Sequence, residues 1–140
     1  MKSNIQKAIH RIQLKRNPPI SQEDARQKAK DNFVKPHIET LILSRLNQGD
    51  SYGYEIAQFV KKTSGGQLHI PEGAMYPTLY RMIGKGYIAD YQLTSGKNQL
   101  RVYYQITPAG RDRLKMLMEA CDEACTGYHA CLTAMQAGQA

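Results

Sequence analysis

Two neighbouring runs constrain the fold of this chain more than any other feature. Residues 87 to 93 (YIADYQL) and 100 to 106 (LRVYYQI) are rich in Tyr, Val, Ile and Leu, and the connector between them, TSGKNQ, contains Gly96. Aromatic and β-branched residues suit a pleated surface, and a short glycine-bearing connector turns one strand back on the next, so the pair predicts a β-hairpin. What comes before it is helical. Ile38, Leu41, Ile42, Leu43 and Leu46 form an apolar helix from Pro36 that breaks at Asn47-Gln48-Gly49-Asp50. Tyr52, Ile56, Phe59 and Val60 share a face of a second helix, with Ser51 its expected N-cap and Ser64-Gly65-Gly66 its stop. A short extended piece is expected at Gln67 to Ile70, before Pro71.

A third stripe, Met75, Leu79, Met82 and Ile83, runs through GAMYPTLYRMIGKG (73 to 86) and ends at Gly84-Lys85-Gly86. Pro77 sits inside it. The first N–H groups of a helix have no intrahelical partner, so a start near Ala74 or Met75 would accommodate the proline. Thr107-Pro108 opens a last helix, with Thr107 as N-cap and Pro108 at the first helical position. Three helices followed by a hairpin is the layout of a winged helix-turn-helix, whose third helix enters the DNA major groove while the wing reaches along the backbone. The expected class is α+β, mostly α. The stretch from Pro36 to Ile106 holds 71 residues. A domain that small buries only about 60% of its unfolded surface, so the final helix (107 to 140) is expected to add core by pairing chains.

The first 35 residues read differently. Ile5, Ala8, Ile9 and Ile12 make a helical stripe flanked by Lys7, Arg11, Lys15 and Arg16 and stopped by Asn17-Pro18-Pro19. Ser21 is a candidate N-cap, with Glu23 and Asp24 in the turn that follows. Residues 1 to 35 hold nine Lys/Arg against three Asp/Glu, residues 36 to 106 seven against five, and residues 107 to 140 three against four, giving +6, +2 and −1. A basic arm on a nearly neutral body fits a polyanionic partner, because each cation beside a phosphate releases a condensed counterion; a solvated tail is the other reading. No run of eighteen apolar residues is present, and the N-terminus lacks the apolar stretch of a signal peptide, so a cytoplasmic, nucleoid-associated location is expected, with no membrane partner.

In the last segment Leu114, Met118, Cys121, Cys125, Tyr128, Leu132 and Met135 are spaced 4, 3, 4, 3, 4, 3, a heptad seam widened by Leu117, Ala124 and Cys131. One flank is expected to cover the chain's own domain and the other to meet a second copy. Three cysteines in one helix make no secreted disulfide framework, and reduced thiols packed in the seam are the simpler reading. Cys121, Cys125 and His129 also recur every four residues, which leaves a redox or metal-sensing role as the sharper alternative. One straight helix cannot wrap three ligands around a tetrahedral ion, so no metal and no cofactor is expected.

At 100° per residue, Pro77, Tyr80, Arg81 and Gly84 fall opposite the apolar stripe of the third helix, with Thr78 and Lys85 flanking that outer face. Arg pairs bidentately with guanine or grips phosphate, and Tyr hydroxyls bind phosphate oxygens. In the hairpin, Lys97 at the turn and Arg101 on the returning strand are phosphate candidates, although Arg101 alternates with Tyr103 and would equally cap the outer surface. Tyr54, Tyr103 and Tyr104 read as core or turn-fixing residues.

The stretches SYGYEI (51 to 56), SGGQLHIPEGAMYPTLYRMIGKGYI (64 to 88) and RVYYQITPAGR (101 to 111) closely resemble the PadR family of bacterial transcriptional regulators. The elements that carry the likeness are Gly53-Tyr54-Glu55, Tyr76-Pro77, Lys85-Gly86 and Tyr103-Tyr104 followed by Thr107-Pro108-Ala109-Gly110. The resemblance implies a dimeric winged-helix protein that binds double-stranded operator DNA, usually a repressor, with a single C-terminal dimerisation helix. Some members respond to phenolic acids, drugs or other small molecules, so an effector of unknown identity is a further expected partner. Ala74 departs from the Ser or Thr common before the Tyr-Pro pair, and the basic N-terminal extension is longer than usual, which points to an added DNA or dimer contact.

The DNA-contacting residues expected are therefore Tyr76, Thr78, Tyr80, Arg81, Lys85, Lys97 and Arg101, with Lys28, Lys30 and Lys35 from the arm. The dimer seam expected is Leu114, Leu117, Met118, Cys121, Cys125, Tyr128, Leu132 and Met135. A sensor acting through the C-terminal helix and a protein-binding winged helix without DNA binding are the alternatives. An enzyme is disfavoured, since His10, His37, His69 and His129 fall in unrelated elements and no nucleophile-base pair or phosphate loop can be read.

Overall fold

The computed structural model describes residues 3–16 and 20–138. Helices α1 (Asn4–Arg16) and α2 (Gln22–Val34) form the N-terminal extension, and the expected Asn17-Pro18-Pro19 stop lies outside the described residues. A 3₁₀ turn (Lys35–His37) leads into α3 (Ile38–Leu46); then come strand β1 (Ser51–Tyr52), α4 (Gly53–Thr63), α5 (Glu72–Gly84), the wing strands β2 (Ile88–Ser95) and β3 (Gln99–Ile106), and α6 (Pro108–Gly138). Ser21 caps α2 as its sequence predicts, its hydroxyl accepting from the Asp24 N–H at 3.0 Å.

The core is the product of the three helical stripes. Ile42, Leu43 and Leu46 of α3, Ile56 and Val60 of α4, and Leu79 and Met82 of α5 are buried together, closed below by Ile88, Tyr104 and Ile106 of the wing. Both flanking segments enter the same core: Val34 from α2 and Leu114 from α6 are buried in it. Leu117 packs against it as well. This corrects the expected seam, because Leu114 and Leu117 serve the chain's own domain. The sheet is three-stranded and antiparallel in the order β1-β3-β2, with Tyr91 opposite Tyr103 and Tyr52 opposite Tyr103 on its other side.

Three local expectations are overturned. The short strand is not at 67–70 but at Ser51–Tyr52, which pairs with Tyr104 and Tyr103. Ser51 therefore does not cap α4; it is buried in the sheet, and its hydroxyl is a buried side-chain oxygen with no hydrogen-bond partner among the described residues. An extended residue held edge-on to β3 by Tyr52 packing at 5.5 Å against Tyr103 cannot turn its side chain towards the helix N-terminus. Finally, α5 begins at Glu72, not at Ala74 or Met75, because the Pro71 carbonyl accepts from the Ala74 N–H at 3.0 Å. Pro77 thus lies within the helix. It deprives the Gly73 carbonyl of its intrahelical donor, on a face where Gly73, Tyr76 and Pro77 are all exposed.

Candidate nucleic-acid interface

The local chemistry of α5 sorts its residues between two faces. Met75, Leu79 and Met82 are buried, while Tyr76, Pro77, Tyr80 and Arg81 are exposed. Thr78 corrects the outward assignment. Three residues beyond Met75 it lies 300° round the helix, only 60° from the buried stripe. It is buried, and its hydroxyl donates to the Ala74 carbonyl at 2.8 Å. A side chain so placed supports the helix and does not reach DNA. Arg81 lies exposed beside it, with Nη2 3.4 Å from the Thr78 hydroxyl.

Between α5, the start of α4 and the wing runs an open groove of about 310 Å³. Tyr52, Tyr54, Tyr76, Tyr80 and Arg101 line it, so that it carries phenol hydroxyls and one cation. The Arg101 guanidinium sits 4.6 Å from the centre of the Tyr52 ring. Both readings of Arg101 are thus partly met: it stacks on the sheet surface and remains exposed at the groove. Tyr52 is in turn held edge-on by Tyr103, whose other face stacks on Tyr91 at 5.7 Å. The Tyr91 hydroxyl donates to Asp50 Oδ2 at 2.7 Å, and that bond, more than burial, raises the Tyr91 pKa above its ordinary value. The sheet face of the wing is thereby a fixed aromatic layer that positions the arginine.

Gly53 decides how closely α4 approaches α5. A Cβ built there would lie 3.0 Å from the Tyr76 hydroxyl, so the glycine is the space that lets this phenol rest over the α4 N-terminus. Tyr54, expected as a core or turn-fixing residue, is not in the core: it is largely exposed and lines the same groove. Tyr104 is buried as expected; burial is the main cause that raises its pKa. The Gly53-Tyr54 pair was visible in the sequence, but the contact across to Tyr76 is a long-range one that no local period marks.

The remaining expected cations take separate places. Lys85 is exposed at the end of α5, and Lys97 is exposed at the wing tip beside Asn98, whose φ of 59° makes the tight turn. Neither lines the groove. In the arm, Lys28 and Lys35 are exposed, but Lys30 donates to Gln67 Oε1 at 2.8 Å. His69 Nδ1 lies 3.5 Å from Asp31 and 3.4 Å from Gln27 Nε2. Lys30 therefore straps α2 to the turn between α4 and α5, which corrects its assignment as a free phosphate contact.

On α6 the expected seam is open from Met118 onward. Met118, Tyr128 and Met135 are more than half exposed, Cys125 is exposed, and Cys121 and Leu132 are half-buried. His37 Nδ1 lies 3.9 Å from Cys121 Sγ, a neighbour that its sequence position does not announce. Burial raises the Cys121 thiol pKa, and Cys125 adds to the effect. An activated thiolate needs the opposite shift. Among the described residues no group of three or more His, Cys, Asp or Glu side chains is arranged to hold a metal ion.

A three-helix core with its third helix half exposed, followed by a wing on a three-stranded sheet, defines a winged helix-turn-helix protein. The family described as transcriptional regulator PadR-like matches residues 42–116, more than half of the chain, and the chain belongs to it. Among solved structures, a transcriptional regulator from Clostridium thermocellum is 32% identical, with a TM-score of 0.65, over 70% of this chain and 95% of that one. A PadR family transcription regulator from Clostridium difficile is 34% identical, with a TM-score of 0.60, over 69% of this chain and 98% of that one. Bacillus subtilis PadR in complex with operator DNA shares the fold at 23% identity and a TM-score of 0.54, over 58% of this chain and 46% of that one. Residues 1–41 lie outside the family match.

Proposed function

We propose that the chain is a homodimeric, sequence-specific repressor that binds double-stranded promoter DNA through α5 and the wing, in the cytoplasm. The observation that carries the reading is the division of α5: one face is locked into the core by Met75, Leu79 and Met82, while Tyr76, Tyr80 and Arg81 face outward, the two tyrosines lining a groove with Arg101 of the wing. A rigid helix with a polar outer face beside a cationic strand matches the geometry by which winged helices read a major groove and hold the flanking phosphates. The related Bacillus subtilis fold in complex with operator DNA supports the same use here. Arg81 is the base-reading candidate, Tyr76 and Tyr80 bind phosphate oxygens, and Lys85, Lys97 and Arg101 neutralise phosphate, with Lys28 and Lys35 as outlying cations. Met118, Cys121, Cys125, Tyr128, Leu132 and Met135 form the dimer seam, which sets half-sites about one helical turn, roughly 34–36 Å, apart.

The test is selection of bound oligonucleotides at fixed salt, followed by titration of the selected operator with variants. Arg81→Ala should weaken binding by about 1–3 kcal/mol and relax the preference at one position, whereas Lys97→Ala should weaken all sequences alike and reduce the salt slope by about 1. Selection that enriches no sequence, with binding insensitive to both substitutions, would leave a protein-binding winged helix in its place.

A further inference from the structure

The segment that leads into α5 has few bonds of its own. The Ser64 hydroxyl accepts from the Leu68 N–H at 3.0 Å. Beyond Leu68, the next main-chain N–H to donate to a main-chain carbonyl, among the described residues, is that of Ala74, to Pro71. No side chain caps α5 at Pro71. The first N–H groups of a helix have no intrahelical partners, so the direction in which α5 starts depends on what grips residues 67–71. Tyr76, the first outward-facing tyrosine of α5, lies four residues past its start at Glu72, so a shift of that start reaches the outer face at once.

Two elements supply the grip. Ile70 is buried in the core, and α2 holds the residues on either side of Leu68. Gln27, Lys30, Asp31 and Val34 recur at three- and four-residue intervals, which makes them one row of α2. Val34 is buried and anchors the end of the row. Lys30 Nζ donates to Gln67 Oε1 at 2.8 Å. Beside it, Gln27 Nε2 donates to Asp31 Oδ1 at 2.9 Å, and His69 Nδ1 lies 3.5 Å from that same oxygen, so the carboxylate is fixed by its own helix while it faces the imidazole. Lys30 and Asp31 are half-buried in these contacts, although most of α2 is exposed. A lysine committed to a side-chain amide, with a carboxylate next to it on the row, is placed to attach one element to another. All of α2 lies in residues 1–41, outside the family match, so the attachment is an addition of this chain to the fold.

We propose that α2 is a positioning element for DNA binding: Lys30 and Asp31, acting through Gln67 and His69, fix where α5 starts and thereby set operator affinity without touching DNA. The inference rests on the reading of α5 as the DNA-reading helix.

The test is a double-mutant cycle in the full chain, read in affinity for the selected operator at a temperature where every variant is folded. Lys30→Met keeps the apolar stem and removes the ammonium, and Gln67→Ala removes the acceptor without changing the charge. Each should weaken binding several-fold, and the double variant should be no weaker than the poorer single one. Asp31→Ala should also weaken binding, although deleting a carboxylate near a polyanion would by itself strengthen it. Hydrogen exchange on the free protein gives a readout independent of DNA: in Lys30→Met the peptide containing Ala74 should exchange faster while peptides from α3 keep their protection, whereas a fold that is merely less stable would lose protection throughout. Gln67→Ala without effect, losses that add in the double variant, or Asp31→Ala that leaves affinity unchanged or raises it would overturn the proposal. So would a salt slope reduced by about 1 in Lys30→Met, which would make Lys30 a phosphate contact. If the unsubstituted protein binds no selected operator, the DNA-binding reading itself fails and takes the affinity claim with it, while faster exchange at Ala74 would still support the hold of α2 on α5 and unchanged exchange would reject it.

Discussion

Gly110 is where α6 meets the wing, and an added methyl group there has a calculable effect. The Thr107 hydroxyl caps the helix, accepting from the Gly110 N–H at 3.0 Å, and lies 2.6 Å from the Gly86 carbonyl and 3.0 Å from that of Tyr87. The Thr107 N–H donates to the same Tyr87 carbonyl at 3.1 Å. A Cβ on residue 110 would collide with the Tyr87 carbonyl oxygen and stand 2.9 Å from Cγ1 of Ile106. Neither obstacle is the end of a flexible side chain: one is backbone, the other a buried residue of β3. To accept the methyl group, α6 must move away from β2 by about 1 Å or more. That shift loses the cap, about 1 kcal/mol, and adds an overpacking cost of about 1–3 kcal/mol.

Gly110→Ala should therefore destabilise the protein by about 2–4 kcal/mol, a large part of the roughly 5–15 kcal/mol that holds a domain folded. Urea unfolding followed by circular dichroism measures the loss directly, and a thermal scan should show the midpoint lowered by roughly 6 °C or more. Gly127→Ala is the control within the same helix. Nothing lies within 4 Å of a Cβ at that position, and replacing a mid-helix glycine removes an entropic cost, so it should stabilise by about 0.5–1 kcal/mol. An unchanged urea midpoint for Gly110→Ala would mean that α6 does not pack on Tyr87 as described, and the same wrong sign in both variants would refute the reasoning altogether.

Other consequences follow from the same contacts. Arg113 Nε donates to Glu39 Oε1 at 2.8 Å, which joins α6 to α3, and its guanidinium lies over the Tyr87 ring at 5.3 Å; Arg113→Ala should cost about 1–3 kcal/mol, and a double-mutant cycle with Glu39→Gln should recover a favourable coupling. Because the Tyr91 pKa is raised in the folded state, the unfolded chain loses that proton first as pH climbs. The stability it supports is full below about pH 10 and is lost above it, so unfolding midpoints from pH 9 to 11 should fall more steeply for the native protein than for Tyr91→Phe. Gly53→Ala presses only on the tip of Tyr76, which can swing away, so its unfolding free energy should stay within about 0.5 kcal/mol of the parent while operator affinity falls. Equal affinities in a titration would show that Tyr76 needs no fixed position to bind.

The sequence was most legible where a period repeats within one element. The stripes of α3, α4 and α5 and the tyrosine-rich wing need only their own spacing to declare which face is buried, and Tyr80 and Arg81 emerge outward as that spacing requires. Where the outcome depends on a partner far along the chain, the spacing misleads. Ser51 looks like a helix cap because its partner strand begins 48 residues later at Gln99, and two residues of strand make no period. Thr78 looks exposed because threonine is polar, yet the hydroxyl is satisfied by its own helix, at Ala74, so burial leaves nothing unpaired. Pro77 looks like a helix start because only its chemistry is visible; Pro71 sets the start, and a glycine carbonyl facing solvent absorbs the missing bond. These exceptions share a physical origin. At Thr78 and Pro77 a hydrogen bond made or missing within the helix, and at Ser51 a strand pairing, outweighs the residue's average preference, and the three lie on α5 and on the short strand that leads into α4. Ser51 and Thr78 are buried directly beneath the exposed face of α5 and the groove beside it, so the departures from local preference fall in the layer that supports the proposed interface.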